Sequence, residues 1–156
     1  MGISKSKSNS RETLLRVLAP LLKECGFRKQ RFRWCRPREA VIQIFDVQRS
    51  AWSDYYYINL GIYDSRLGKA TCPPIYECHA QLLTTALELP RSCTDDALDF
   101  AKRVNARERQ ILRIAQIGIA WLDQVSTLTG MRRYLRSRVS KHHWVTSDLR
   151  ELYHAA

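Results

Sequence analysis

The sequence predicts an α+β fold, in which a small antiparallel sheet of three or four strands carries amphipathic helices on one face. Residues 41–63 alternate β-branched and aromatic side chains with a period of two, in two runs separated by a short polar segment. The stretches before and after them repeat leucine and isoleucine at helical spacing. A chain of 156 residues buries roughly 70% of its unfolded surface as one domain, which we place at residues 11–156.

The composition limits the classes of protein to which the chain can belong. Its formal net charge of +11 attracts nucleic acid, anionic membranes or acidic proteins, but it also fits a solvated surface without a specific partner. No apolar run approaches the ~20 residues of a membrane span. Five cysteines at irregular spacings cannot all pair, which favours a reduced, cytoplasmic protein over a disulfide framework.

The first ten residues, MGISKSKSNS, form a polar segment that we predict to be a disordered tail. Gly2 and Ser6 match the N-myristoylation pattern. The motif is short and frequent by chance, and one acyl chain gives only marginal membrane attachment.

A first helix is predicted over residues 11–25, where leucines recur at helical spacing. Ser10 is placed to cap its first turn, and Gly26 is placed for the left-handed stop after its last turn. Pro20 lies inside the pattern and is expected to kink this helix or end its first half.

Residues 27–38, FRKQRFRWCRPR, interleave basic and aromatic side chains. As a single strand they would place Lys29, Arg31 and Arg33 on one face, with Phe32 and Trp34 on the other. This alternation suits contacts to a phosphate backbone and stacking on bases. An edge strand whose charges block unwanted pairing accounts for the same pattern.

The central hairpin is predicted with Ser50 to Asp54 as the connection, so that Arg49 opposes Tyr55 and residues of equal parity share a face. The predicted core face consists of Ile42, Ile44, Ile58, Leu60 and Ile62. The predicted free face consists of Gln43, Phe45, Val47, Arg49, Tyr55, Tyr57 and Asn59. Aromatic rings beside an arginine and amides are typical of a recognition surface.

The residues around the connection are the main binding candidates. Arg49 can contact a carboxylate or phosphate through two N–H groups, and Trp52 can anchor in a pocket. Alternatively, Gln48 and Asn59 bond to neighbouring backbone and Trp52 covers the core. The candidates for contact with a partner are Gln48, Arg49, Ser50, Trp52, Tyr55, Tyr57 and Asn59.

Several motifs occur in a recognisable order. After the Leu-rich helix the sequence reads Gly26-Phe27-x-Lys29, Phe32-x-Trp34, Gln48-Arg49-Ser50-x-Trp52, Ile58-Asn59-Leu60-Gly61 and later Gly118-x-x-Trp121-Leu122-Asp123. Over about residues 11–136 this order resembles a small bacterial family known as domain of unknown function 4304, although that family favours Lys where Arg49 stands. The resemblance implies an α+β fold with a small antiparallel sheet, and it implies no reaction.

The second half of the chain reads as mostly helical. Helices are predicted over residues 75–89, 94–105, 106–117, 126–140 and from 147 to 152, with a break at Gly118. Cys72, Cys78 and His79 lie close together, but their spacing fits no zinc motif, so we predict no metal site.

A second basic cluster lies on the helix predicted over residues 126–140, where a solvated face is favoured over an anion-binding patch. Together with the first cluster it supplies the candidates for binding an anion or nucleic acid, namely Lys29, Arg31, Arg33, Trp34, Arg132, Arg133 and Arg136.

The sequence contains no Gly-rich phosphate loop, HExxH, GxSxG or Rossmann fingerprint. We therefore predict no catalytic residues and no cofactor, while an enzyme of unrecognised type stays open. Our leading hypothesis is a non-enzymatic intracellular module that binds a protein partner, in the manner of a toxin-neutralising immunity protein. The alternative is a nucleic-acid-binding module that uses the two basic clusters.

Overall fold

The computed structural model describes residues 3–138, 140 and 143–155, and over these residues the chain forms four α-helices and one six-stranded sheet. The elements are α1 Ile3–Glu24, β1 Arg28–Gln30, β2 Arg33–Arg38, β3 Val41–Arg49, β4 Tyr56–Asp64, β5 Ala80–Leu83, α2 Arg107–Val125, α3 Leu128–Arg136, β6 Trp144–Val145 and α4 Ser147–Ala155. The strands follow chain order across the sheet, and each pairs antiparallel with the next. The α+β class is confirmed, and the sheet is larger than the three or four strands predicted.

Helix α1 is longer than predicted. It begins at Ile3, within the segment predicted to be a disordered tail, and it continues through Pro20. Ser10 is therefore buried inside the helix and does not cap it. The predicted stop is correct: Gly26 has φ +89°, and the N–H of Phe27 donates to the carbonyl of Leu22 at 2.9 Å. Gly2 lies outside the described residues.

Residues 27–38 form a hairpin and not the single strand predicted. Arg31 adopts φ 56° and turns the chain, so β1 folds back on β2 with Lys29 opposite Trp34. Trp34 is consequently only 2% exposed, on the face of the sheet that the helices cover.

The predicted register of the central hairpin is wrong by one residue. Arg49 pairs with Tyr56, because the connection extends to Tyr55, whose carbonyl accepts the N–H of Ser50 at 2.8 Å. Since side chains alternate along a strand, this shift exchanges the faces of one strand relative to the other. The inner face consists of Val41, Gln43, Phe45, Val47, Tyr56, Ile58, Leu60 and Ile62. The outer face consists of Ile42, Ile44, Asp46, Gln48, Tyr57, Asn59, Gly61 and Tyr63.

The inner face packs against all four helices in one hydrophobic core. Leu14 and Leu18 of α1 and Ile114 of α2 are fully buried there. Gly118 does not break α2, contrary to prediction. A Cβ atom at this position would lie 3.2 Å from both methyl groups of Leu60, so the glycine lets the helix approach the sheet closely.

The outer face is covered over one half by the segment that follows β4. Ile42, Ile44 and Tyr63 form a second cluster there with Cys78 and its neighbours. Cys35 of β2 forms a disulfide with Cys72 of the covering segment, which corrects the expectation that all cysteines are reduced. The spacing of the cysteines does not indicate this pair, because the contact depends on the segment folding back over β2.

The region from residue 75 to residue 106 is less helical than predicted. The helix expected over 75–89 is replaced by two 3₁₀ turns, Ile75–Glu77 and Thr84–Ala86, on either side of β5. Within β5 the buried and less buried residues alternate, which is the period of a strand. The helix expected over 94–105 is reduced to the 3₁₀ turn Asp95–Leu98.

The C-terminal elements are close to their predicted positions. Helix α3 is shorter than predicted at both ends: the hydroxyl of Thr127 accepts the N–H of Gly130 at 3.0 Å and caps its start, and the helix ends at Arg136. Across the described residues, no helix combines the length and the apolar character that crossing a membrane requires.

Candidate functional site

The uncovered half of the outer face is a surface of exposed rings and amides. We call it the open face and define it by Gln48, Tyr57, Asn59, Gln81, Leu83 and Trp144. Tyr57, Leu83 and Trp144 are 36%, 39% and 54% exposed. A shallow cleft of about 570 Å³ runs along it. These residues come from β3, β4, β5 and β6, so paired strands hold them at fixed spacing.

The polar groups of the open face bond to one another. The side-chain N–H₂ of Asn59 donates to Asp46 at 3.0 Å and to the amide oxygen of Gln48 at 3.3 Å. Burial raises the pKa of Asp46, although the bond from Asn59 and the charge of Arg33 oppose this shift. Gln81 donates to the carbonyl of Cys78 at 3.3 Å. This part of the surface is therefore dominated by amides.

Aromatic rings extend the open face toward the connection between β3 and β4. The rings of Tyr55 and Tyr57 meet edge to face at 4.9 Å, an arrangement that aromatic pairs favour. The backbone of Tyr55 bridges to Asp99, which fixes this end of the connection. Trp52 is 96% exposed in the middle of the connection.

The seven predicted partner-binding residues lie in three places. Gln48, Tyr57 and Asn59 belong to the open face, and Ser50, Trp52 and Tyr55 lie in the connection. Arg49 lies on the inner side with Tyr56. Gln43, Phe45 and Val47, predicted on the free face, are on the inner face. Sequence reasoning missed Gln81, Leu83 and Trp144, because the short strands β5 and β6 were not predicted and the residues of β5 also fit a helical pattern.

Arg49 lines a second concavity, between α1 and the end of β3, which we call the α1 cleft. Its volume is about 350 Å³. The walls are formed by Arg11, Leu14, Leu15, Phe32, Asp46, Val47, Gln48, Arg49 and Tyr56. Asp54 lies beside it: one carboxylate oxygen accepts the hydroxyl of Ser10 at 2.8 Å and lies 3.6 Å from a terminal nitrogen of Arg49.

A buried polar network at the opposite end of the inner face has a structural role. Arg36 donates to Gln43 at 2.6 Å and to Asp123 of α2, and the amide of Gln43 donates to Ser126 at 2.7 Å. Burial lowers the pKa of Arg36, while the charge of Asp123 opposes the shift. The buried groups Arg36 and Gln43 therefore both have partners. Asp123, at the end of the Gly118 motif, anchors α2 to the sheet through them.

The second basic cluster gains two members from α4. A cleft of about 270 Å³ between α3 and α4 is lined by Arg132, Leu135, Arg136, Arg150, Tyr153 and His154. Arg150 donates to the carbonyls of Leu135 and Ser140. None of the ion pairs between described residues involves these arginines. Arg133 lines the neighbouring concavity, and residues 141 and 142 lie outside the described part of the chain.

The first basic cluster does not form the predicted surface. Buried Trp34 is unable to stack on a base, and Lys29 lies above its ring at 5.7 Å. Arg33 points to the outer face and donates to the carbonyl of Cys72 at 3.2 Å, whereas Arg31 lies in the turn.

Metal ligands do not gather in the part of the chain that the structure describes. No group of three or more His, Cys, Asp or Glu residues among these residues is arranged to hold a metal ion. The disulfide also removes Cys72 as a thiolate ligand from the set Cys72, Cys78 and His79.

Comparison with known proteins identifies a family but no activity. The family model described as Domain of unknown function (DUF4304) matches residues 18–124. This range includes β1 to β5 and nearly all of α2. No curated protein and no solved structure matches the chain significantly.

Proposed function

The chain belongs to the DUF4304 family, and we propose that it is a non-enzymatic module that binds a protein partner through the open face. The observation that carries this proposal is the exposure of Tyr57, Leu83 and Trp144 on the same face of three neighbouring strands. Contiguous exposed apolar groups with a polar rim mark interaction sites on folded proteins.

The chemistry of the open face favours a protein over other partners. Aromatic side chains are enriched at the centres of protein interfaces, where charged residues are depleted. The amides of Gln48, Asn59 and Gln81 supply hydrogen-bonding groups beside the rings. The net charge of +11 accelerates association with an acidic partner without entering the contact itself. A toxin whose working surface is blocked by this contact is one partner of this kind.

The test compares recovery of a partner by variants of the open face and by a matched control. Tagged protein with Tyr57→Ala or Trp144→Ala is expected to lose a stoichiometric partner that the unchanged protein recovers from its native lysate. Leu128→Ala is the control, because Leu128 is 49% exposed but lies on α3. Equal recovery by all three variants, with unchanged melting temperatures, would rule out the open face as the contact.

A second candidate function, nucleic-acid binding, is supported by the cleft between α3 and α4. Arg132, Arg136, Arg150 and His154 converge there without a carboxylate partner among the described residues. Phosphate groups are suitable counter-ions for such a cluster. The phenol ring of Tyr153 is not free for stacking, because it is buried and its hydroxyl donates to Asp64 at 3.1 Å. Contact with the backbone alone would give little sequence preference.

This candidate is tested by fluorescence anisotropy with a labelled duplex between 50 and 200 mM salt, roughly the range over which phosphate contacts weaken strongly. Arg132→Gln with Arg136→Gln is expected to weaken binding and to reduce the salt dependence by about two released ions. The control is the double variant Arg103→Gln with Arg109→Gln, which removes the same amount of charge at exposed positions outside the cleft. Equal loss in both double variants would assign the binding to net charge and not to the cleft.

A further inference from the structure

The α1 cleft is an apolar concavity at a place where the sheet is incomplete. Strand β3 continues for Val47, Gln48 and Arg49 beyond its last pairing with β2, which joins Arg33 to Asp46. Helix α1 crosses this end of β3 and contributes apolar side chains to the cleft. The gap between them is therefore closed on two sides by hydrocarbon and remains open at its rim.

Two guanidinium groups lie at this cleft. Arg11 rests on the ring of Phe32, with 4.2 Å between the guanidinium carbon and the ring centroid. Arg49 is two-thirds buried, and its Nε–H is fully buried without a hydrogen-bond partner in the described structure. A buried donor without a partner is costly, so the hydrogen-bonding capacity of Arg49 is not fully used within the described structure.

The carboxylate of Asp54 satisfies Arg49 only partly. Its nearer oxygen lies 3.6 Å from a terminal nitrogen of Arg49, which is too long for a hydrogen bond, and the same oxygen accepts the hydroxyl of Ser10 at 2.8 Å. Carboxylates bind a guanidinium through two parallel N–H···O bonds, and the side chain of Arg49 is one-third exposed. Arg49 thus retains the capacity for a second acidic group.

From these observations we propose that the α1 cleft binds a carboxylate that carries an apolar group, with the carboxylate on Arg49 and the apolar group between Leu14, Leu15 and Val47. Arg11 at the rim adds a second positive charge. A phosphate dianion fits less well, because Arg49 is shared with Asp54 and most of the wall is hydrocarbon. The volume of about 350 Å³ lies at the lower end of the range for small-ligand sites, roughly 300–1,000 Å³.

This inference goes beyond the proposed function and does not depend on it. The α1 cleft and the open face share Gln48, whereas their other lining residues differ. The carboxylate can come from a free organic acid or from the C-terminal residue of a peptide, because both combine the same two groups.

The experiment is a calorimetric titration of the full chain with octanoate and with 3-phenylpropanoate. At least one is expected to bind saturably, and octanol at the same concentration is expected to bind at least tenfold more weakly. The peptide acetyl-Gly-Gly-Leu with a free C-terminus, compared with its amide, identifies the source of the carboxylate. Tighter binding of the peptide acid than of octanoate supports a peptide end, and the reverse supports a free acid. Absence of saturable binding by all three acids would overturn the proposal, as would equal binding of octanoate and octanol.

Two variants assign the binding to the cleft. Arg49→Gln removes the guanidinium and is expected to weaken binding of the acid at least tenfold, with its fold checked by the melting temperature. Arg11→Gln, at an exposed position that tolerates substitution, is expected to give a smaller loss in the same direction. Arg16→Gln, farther along α1 and paired with Glu108, is the control and should bind unchanged. Unchanged binding in Arg49→Gln and Arg11→Gln would place the acid elsewhere.

Discussion

The two faces of the sheet are built differently although both carry apolar side chains. The inner face is covered by helices, and Phe45 and Leu60 are fully buried there. The outer face has a smaller cluster under the segment after β4, and beyond it the rings of Tyr57 and Trp144 are exposed. The inner face therefore supplies most of the stability, and the outer face keeps about half of its surface exposed to solvent.

The largest effect is expected from a cavity in the inner face. Leu60→Ala should lower the free energy of unfolding by about 2–5 kcal/mol, because a fully buried leucine loses both transfer energy and packing. The measurement is urea unfolding at pH 7. Leu83→Ala, which removes a leucine from the outer face of the sheet, should cost no more than ~0.5 kcal/mol. Similar losses in the two variants would contradict the difference between the faces.

The covered half of the outer face depends on the disulfide between Cys35 and Cys72. Removing it by Cys35→Ala with Cys72→Ala should cost roughly 3–4 kcal/mol under oxidising conditions, from the loop that the bond closes in the unfolded chain. Thiol titration of the unfolded, unreduced protein should count the three free cysteines Cys25, Cys78 and Cys93. A count of five would show that the bond is absent in solution.

Two carboxylates, Asp64 and Asp46, are expected to make the stability of the fold depend on pH in opposite directions. Asp64 is fully buried; burial opposes its ionisation, but its hydrogen bonds with Arg66 and Tyr153 prevail and hold its pKa below the usual 3.8. Its ionised form therefore stabilises the fold above pH ~4, and this contribution is lost as the pH falls through the lowered pKa. Asp64→Asn should cost about 1–3 kcal/mol at pH 7 and less at pH 3, by urea unfolding.

The pKa of Asp46, on the outer face, is shifted in the opposite direction from that of Asp64. Burial raises its pKa, so the folded protein binds a proton more tightly than the unfolded chain, and stability falls as the pH rises toward the raised pKa. Asp46→Asn should be neutral or slightly stabilising at pH 7, because an uncharged amide replaces a poorly solvated carboxylate. A loss of stability at pH 7 as large as that of Asp64→Asn would contradict this assignment.

The smallest effect on stability is expected from the open face itself. Trp144→Ala should change the free energy of unfolding by about 0.5 kcal/mol or less, since its side chain is exposed. Tyr57→Ala should cost about 1 kcal/mol, since it also loses the ring contact with Tyr55. Thermal unfolding followed by circular dichroism is sufficient to measure this. A large destabilisation would mean that these rings support the fold, which would weaken the case for a binding surface.

The sequence predicted the central hairpin and the stop at Gly26, because alternation and a positive φ are local properties. The register was not determined by alternation, since β3 carries apolar residues on both faces: Val41 and Phe45 on one, Ile42 and Ile44 on the other. Because both faces of β3 are apolar, the register depended on the length of the connection. The connection is one residue longer than predicted, and this difference determines which side chains of β3 and β4 share a face.

The remaining errors come from contacts that are distant in sequence. Strand β5 is short, and its position follows from pairing with β4, so its leucines also fitted a helical pattern. Trp34 became buried because the turn at Arg31 brought it under α1 and α2. For the open face, Tyr57 and Asn59 could be named from sequence, but Trp144 could not, because its strand joins the sheet from far along the chain.

The order of the strands has a consequence for how the chain reaches its native state. The pairings from β1 to β5 join neighbouring segments, which costs little loop-closure entropy, so we expect them to form early. Only β6 must return past α2 and α3 before it can pair with β5. Because Trp144 arrives with that strand, a nascent or truncated chain that ends before it would lack the Trp144 side of the open face. The C-terminal segment would thus set the time at which the open face is complete.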